Sequence, residues 1–306
     1  MCASAHNSPP VEIDDMAVTV ANIDNLTYKK RRNWRPVRIA LYYVLIVPLL
    51  LIWLIPIFMT LITSVRSLDD ITLNGPFSWP TSFEIQNFSE AWSNGGLNRY
   101  MLNSFIVTIP ALIICLSLSS LAAFALARFN FKGNLIIYFT FVGGSLLPFQ
   151  ILMLPVYRLS NTLNLYDTYW ALIVFHGAFQ LGFCTFVLRN FMRTIPGEIF
   201  DAARIDGASE FRIYRQHVLP LSLPAIAALA TLQFTWIFND YLWALILVQQ
   251  DKLKPVTTGL ASLRGEYIQA FNIQFAGTLI AVIPTVVLFM FLQRYFIQGL
   301  TMGSGK

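Results

Sequence analysis

The sequence is short of charge. Of its 306 residues, 12% are Asp, Glu, Lys or Arg, about half the roughly 25% of an ordinary soluble domain. Hydrophobic residues make up 56% and the mean hydropathy is +0.59. That balance excludes a disordered chain and argues against a soluble enzyme. Cysteine is scarce as well: Cys2, Cys115 and Cys184 show neither metal-ligand spacing nor a disulfide framework, so they read as small buried hydrophobes. No G-x-x-x-x-G-K-[ST] is present. The terminal Gly303-Ser304-Gly305-Lys306 imitates its end, but Leu300 stands where the first glycine belongs and no Ser or Thr follows, so no phosphate cradle can be assigned. No Ser/His pair, di-aspartate or His-Glu-x-x-His occurs within the apolar segments. Catalytic, cofactor-binding and metal-binding residues are therefore expected to be absent.

What is present comes in long apolar blocks. No charged residue lies between Arg38 and Arg66, and about 20 apolar residues suffice for a helix to cross a bilayer. Six blocks qualify as spans: 39–64, 101–127, 134–157, 168–188, 220–248 and 274–293. The first starts too late and runs too long for a cleaved signal peptide. The expected fold is all-α, a polytopic membrane protein with six transmembrane helices in the lipid bilayer. Its expected divisions are a polar tail over 1–36, a first span over 37–66, an outer loop over 67–99, a core over 100–297 and a short tail over 298–306. The outer loop carries turn signals at Asn74-Gly75-Pro76 and Trp79-Pro80.

Lysine and arginine set the orientation. A cytoplasmic N-terminus places Lys29, Lys30, Arg31, Arg32, Arg35, Arg38, Arg128, Lys132, Arg189, Arg193, Arg204, Arg212, Arg215, Arg294 and Lys306 inside. Only Arg66, Arg99, Arg158, Lys252, Lys254 and Arg264 are left outside. That bias explains the net charge of +5 without nucleic acid, and an even number of spans puts both termini in the cytoplasm.

The inner connection after the fourth span reads as a helix over about 195–214. It opens on Pro196 and then acids, as helix starts do, and Glu198 and Asp201 suit the positive end of the helix dipole. Ile199, Ala203, Gly207, Phe211 and Tyr214 recur at i+3 and i+4 steps as one narrow stripe, small in its middle. Such a stripe fits a groove on a partner protein; periodicity alone fits an interfacial helix lying on lipid equally well.

The residue pattern decides between them. Asp201-Ala202-Ala203, Asp206-Gly207-Ala208 and Leu219-Pro220 resemble the EAA signature of permease subunits of binding-protein-dependent ABC importers, carbohydrate-uptake type, closest to the smaller maltose-type permease subunit. Asp201 replaces the usual Glu and keeps its charge; His217 stands where an aliphatic residue is common. Asn103-Ser104, the run Ala122-Ala123-Phe124-Ala125-Leu126-Ala127-Arg128, Asn239-Asp240-Tyr241-Leu242-Trp243 and Gln298-Gly299-Leu300-Thr301 extend the likeness over roughly residues 40–302. The resemblance implies a type I ABC importer permease in the bacterial inner membrane, forming half of the path for a sugar or oligosaccharide. Its implied partners are a second permease subunit, two ATPase subunits that bind ATP and Mg, and an extracytoplasmic substrate-binding protein. A coupling helix containing Glu198, Asp201, Ala202, Ala203, Asp206, Gly207 and Ala208 would meet an ATPase.

The fifth block suggests a substrate path. Read as one helix from Pro220, it carries Asp240 about 30 Å along, at 1.5 Å per residue, near the outer surface. A carboxylate there avoids the roughly 2.5–3.5 kcal/mol of the bilayer centre. Gln233, Trp236, Asp240 and Trp243 would share one face with Asn239 beside them, an amide and a carboxylate between indoles, as sugars require. The alternative is inter-helix packing, with Asp240 capping a neighbour or paired to a basic group. Asn103, Gln150, His176 and Gln180 read as packing groups, and His176 has no acid or His at i+3 or i+4. An ion-coupled secondary transporter is the alternative function; it predicts several intramembrane acids, whereas the six spans hold one.

Overall fold

The computed structural model describes residues 35–75, 78–263 and 270–302. The tail over 1–34 and residues 76–77, 264–269 and 303–306 lie outside the described residues, and so do the expectations for the polar N-terminal tail, Pro76, Arg264 and the terminal residues. No strand occurs among the described residues, as the all-α reading expects. Two compact units divide at Pro56, within α1 (Arg35–Ser64). In the first, residues 39–56 form a helix with no charged residue and with its large apolar side chains exposed, Trp53 at 74%. Outward apolar surface of that kind suits lipid.

In the second unit, α2 (Leu68–Asn74) and α3 (Gln86–Trp92) precede the long α4 (Leu97–Arg128). They are followed by α5 (Asn134–Ser145), α6 (Phe149–Thr162), α7 (Tyr169–Phe179), α8 (Leu181–Met192) and α9 (Gly197–Ile205). Next come α10 (Glu210–Ile213), a π turn at Tyr214–Val218, α11 (Leu223–Phe238), α12 (Leu242–Leu247), α13 (Val256–Ser262) and α14 (Phe271–Met302). Helix α4 packs on α7, α8 and α11, and α11 packs on α14. Gly182 lets α5 and α8 approach closely, since a Cβ there would clash with the Phe141 carbonyl oxygen.

Among the described residues, four helical stretches are long and apolar enough to cross a membrane, and six if each of two bent pairs is one span. The sequence predicts six spans; the structure breaks two of them. The third bends by 99° between α5 and α6 at Leu146-Leu147-Pro148, where Pro148 takes a non-helical ψ of 121° and has no N–H to offer. The fifth bends by 71° near Ser222 and ends at Phe238 rather than 248. The fourth, Tyr169–Met192, counts as one span, although the ψ of −1° at Gln180 interrupts the α-helix between α7 and α8.

The outer connection holds structure, the helices α2 and α3. Arg66, fully buried, donates from Nε to Asp70 Oδ2 at 2.6 Å and to the Asp70 and Gly75 carbonyls at 3.0 Å. Asn87 donates to the Ser64 and Arg66 carbonyls and accepts from Asn272 of α14.

Candidate functional site

Two regions collect the residues singled out in the sequence. The first is the segment after α8. Pro196 (φ −55°) starts α9, with Phe200 (2% exposed) and Ala203 packed into a core built with Leu188, Met192, Ile213 and Val218. Glu198, Asp201, Ala202 and Asp206 face outward, beside Ile205 at 86% exposure.

The single helix over 195–214 expected from the sequence is two helices. Helix α9 stops at Ile205; Gly207 turns at φ +78° and Ser209 caps α10, its hydroxyl accepting from Arg212 N. Left-handed backbone costs a side chain roughly 1–2 kcal/mol, so glycine ends the helix here. The stripe therefore does not face one partner. Ala203 and Tyr214 turn into this chain's own core, the Tyr214 hydroxyl 2.7 Å from Ser120 Oγ of α4, whereas Phe211 is exposed. Gly207 lies in the turn and Ala208 is half-buried beside the core. Arg204 bridges the turn, 3.3 Å from Asp201 and 2.8 Å from Glu210.

The second region is a groove on α11. A pocket of about 670 Å³ is lined by Trp236, Asn239, Asp240, Tyr241, Trp243 and neighbours including Phe149, Phe179 and Phe289. A second, of about 440 Å³, adds Ser145, Pro148, Gln180 and Gln233 and shares Phe149, Phe179, Leu232 and Trp236. Three interruptions of helix, at 146–148, at Gln180 and at 239–241, converge on this groove. Irregular backbone at membrane depth is tolerated where it lines a cavity.

The five residues predicted for a path meet here, but not as one helical face. Asn239 and Asp240 lie beyond the end of α11; Trp243 belongs to α12 and is 4% exposed, its ring 3.7 Å from that of Phe175. Gln233 is 3% exposed and its Oε1 has no hydrogen-bond partner among the described residues. Trp236 is open at 58%. Asp240 caps α12: its carboxylate accepts from Trp243 N at 3.4 Å and Ala244 N at 3.0 Å, and its own carbonyl accepts from the Thr257 hydroxyl. That capping ends one helix and starts the next, which the straight count of 30 Å overlooked. His176 Nε2 lies 3.6 Å from Asp240 Oδ2; that neighbour comes from the segment between α11 and α12, beyond any i+3 or i+4 search.

Among the other polar groups, Asn103 behaves as expected of a packing amide. It donates to the Lys252 and Lys254 carbonyls at 2.9 Å and accepts from the Tyr169 hydroxyl at 2.6 Å. Gln150 is exposed. Cys115 and Cys184 are buried thiols 3.7 Å apart, and no group of His, Cys, Asp and Glu fit for a metal occurs among the described residues. Sequence reasoning assigned no contact to Arg128, the end of the Ala122–Arg128 run, or to Arg189, which it counted as a loop charge. Arg189 is 8% exposed, and both bond helix-end carbonyls. Their position at the last turns of spans was the available signal.

The model of the family described as "binding-protein-dependent transport system inner membrane component" matches residues 102–302. The osmoprotective compounds uptake permease protein GgtD of Synechocystis is 32% identical over 95% of this chain and 99% of its own length. The arabinooligosaccharides transport system permease protein AraQ of Halalkalibacterium halodurans is 36% identical over 74% of this chain and 81% of its own. A chain of a bacterial ABC transporter that imports the acidic polysaccharide alginate superposes with a TM-score of 0.70, at 19% identity, over 94% of this chain and all of that one; it shares the fold. Family, fold and the single acid in the spans decide against the ion-coupled carrier. The chain belongs to the binding-protein-dependent transport system inner membrane components, the permease subunits of ABC importers.

Proposed function

We propose that this permease forms one half of the path for a sugar or oligosaccharide, a second permease subunit forming the other, and that α9 docks on one of two ATPase subunits that bind ATP and Mg. An extracytoplasmic binding protein would deliver substrate; a fold relative at 15% identity was solved with a substrate-loaded periplasmic protein. In this reading both termini and the α9–α10 segment lie in the cytoplasm, in line with the charge bias. The observation that carries it is the two-sidedness of α9. Phe200 and Ala203 fix it to the bundle, which leaves Glu198, Asp201, Ala202 and Ile205 outward, a small acidic and apolar face with no cover among the described residues of this chain.

The groove supports a sugar. Exposed Trp236 and half-open Tyr241 offer rings for the apolar face of a pyranose, while Asn239 and Asp240 offer hydrogen-bond partners to its hydroxyls. No Lys or Arg lines either pocket among the described residues, so the lining suits an uncharged saccharide. Relatives bear names such as arabinooligosaccharides and melibiose/raffinose/stachyose permease. Co-purification tests the docking: the wild-type chain should retain an ATPase, and Asp201→Arg or Gly207→Asp should lose it with the spans still folded. Retention of the ATPase by both variants would refute the docking face.

A further inference from the structure

The geometry points to a reciprocal arginine clasp, centred on Arg128, that transmits movement of α9 into α4 and α8. This inference rests on the reading that α9 docks on an ATPase.

Arg128 is the last residue of α4. Its Nη2 donates to the Met192 carbonyl, the last of α8, at 2.6 Å, and to the Ile195 carbonyl at 2.7 Å. Arg189, in the last turn of α8, reaches back and donates from Nε to the Leu126 carbonyl of α4 at 3.2 Å. Each arginine satisfies carbonyls that the other helix leaves open at its C-terminus, where a cation also suits the dipole. The two helix ends are thereby tied to each other.

The Arg128 guanidinium has a further partner. Its central carbon lies 3.7 Å from the centroid of the Phe200 ring, and Phe200 belongs to α9. Ile195 immediately precedes Pro196, where the chain enters α9. One planar group thus touches the end of α4, the end of α8 and the helix assigned to the ATPase. A second attachment lies beyond the Gly207 turn, where the Tyr214 hydroxyl meets Ser120 of α4. Ser120 and Arg128 are about 12 Å apart along α4, at 1.5 Å per residue. A segment held at one point can swivel; held at two, it passes rotation into the helix that carries it, as rigid-body switches do.

The residue type matters. Guanidinium can lay its face on an aromatic ring while donating within its own plane, whereas the lysine ammonium is a point charge that cannot do both. Arg128 is accordingly a positioning residue, acting through Phe200 and the α8 carbonyls.

The test uses the complete importer in liposomes with Mg-ATP, its binding protein and a transported sugar, and compares Arg128→Lys and Phe200→Leu with wild type. Both variants are expected to retain the ATPase subunits and to hydrolyse ATP. ATP consumed per sugar imported should rise by roughly 2- to 30-fold, the range of coupling changes of 0.5–2 kcal/mol. An unchanged ratio in both would overturn the clasp. So would transport lost only in proportion to assembled complex, because that is packing and not transmission. A wild-type chain that retained no ATPase would instead overturn the docking reading itself, and the clasp with it.

Discussion

Replacing Asn103 by leucine tests whether polar groups at the top of α4 hold the loop behind the groove. Asn103 is 2% exposed and makes three hydrogen bonds: to the carbonyls of Lys252 and Lys254 and from the Tyr169 hydroxyl. Ser104 beside it accepts from Val256 N at 2.8 Å. Together they pin the turn at Asp251–Leu253 and the start of α13, from which Thr257 reaches the Asp240 carbonyl. A neutral hydrogen bond contributes about 1 kcal/mol net, and a buried partner left unpaired costs about 1–3 kcal/mol. Asn103→Leu keeps the volume and removes all three bonds, so a loss of about 3 kcal/mol is expected, less where water reaches the Lys252 carbonyl. Tyr169→Phe removes one bond and should cost about 1 kcal/mol. In the double variant that bond is lost only once, so the two effects should fall short of additive by about the same amount. Asn103→Asp retains the acceptor for Tyr169 but faces two carbonyls with a carboxylate, and should be worse than leucine. Thermal unfolding in detergent reads the series, at roughly 2–4 °C per kcal/mol for a domain of this order of size. A shift under about 2 °C for Asn103→Leu, or wild-type stability for Asn103→Asp, would refute the reasoning, since either means the loop is held by something else.

Two further outcomes concern the groove and its rim. Trp236→Ala should change stability by no more than about 0.5 kcal/mol, as at an ordinary exposed site, yet raise the sugar concentration for half-maximal transport in the reconstituted importer; unaltered transport would remove Trp236 from the path. Asp167 holds the chain after α12 through N–H donors from Gln249 and Gln250. Burial alone would push its carboxyl up, but those hydrogen bonds and the charge of Lys252 outweigh burial and hold it below the usual range. A depressed carboxylate contributes its full stabilisation above the unfolded value of about 3.9 and loses it as pH falls through the folded value. Hydrogen exchange at the Gln249 and Gln250 amides should therefore gain protection relative to Asp167→Asn above about pH 4 and lose that advantage in more acidic buffer; an advantage independent of pH would contradict the assignment.

The family was legible because its signals are local. Charge-free blocks, the Asp201-Ala202-Ala203 to Leu219-Pro220 spacing and the lysine and arginine bias need only neighbours in the chain. The broken helices were half legible: Pro148 and Gly207 announce interruptions, but hydrophobic periodicity runs on through both. The end of α11 was not announced, because Asp240 caps α12 by side-chain hydrogen bonds that leave the hydropathy pattern unaltered.

What the sequence determined by itself is that this chain crosses a membrane as helices and carries a helix start rich in acids between its later spans. Tertiary structure alone decided which residues meet. His176 of α7 meets Asp240 in the segment before α12, Arg128 finds Phe200 and the end of α8, and three interruptions far apart in the chain close on one groove. Hydrophobic periodicity records which face of a segment avoids water, but carries no information about the segment on the other side. Pairings between distant polar groups, fixed by packing angles and helix breaks, therefore emerge only once the helices are assembled.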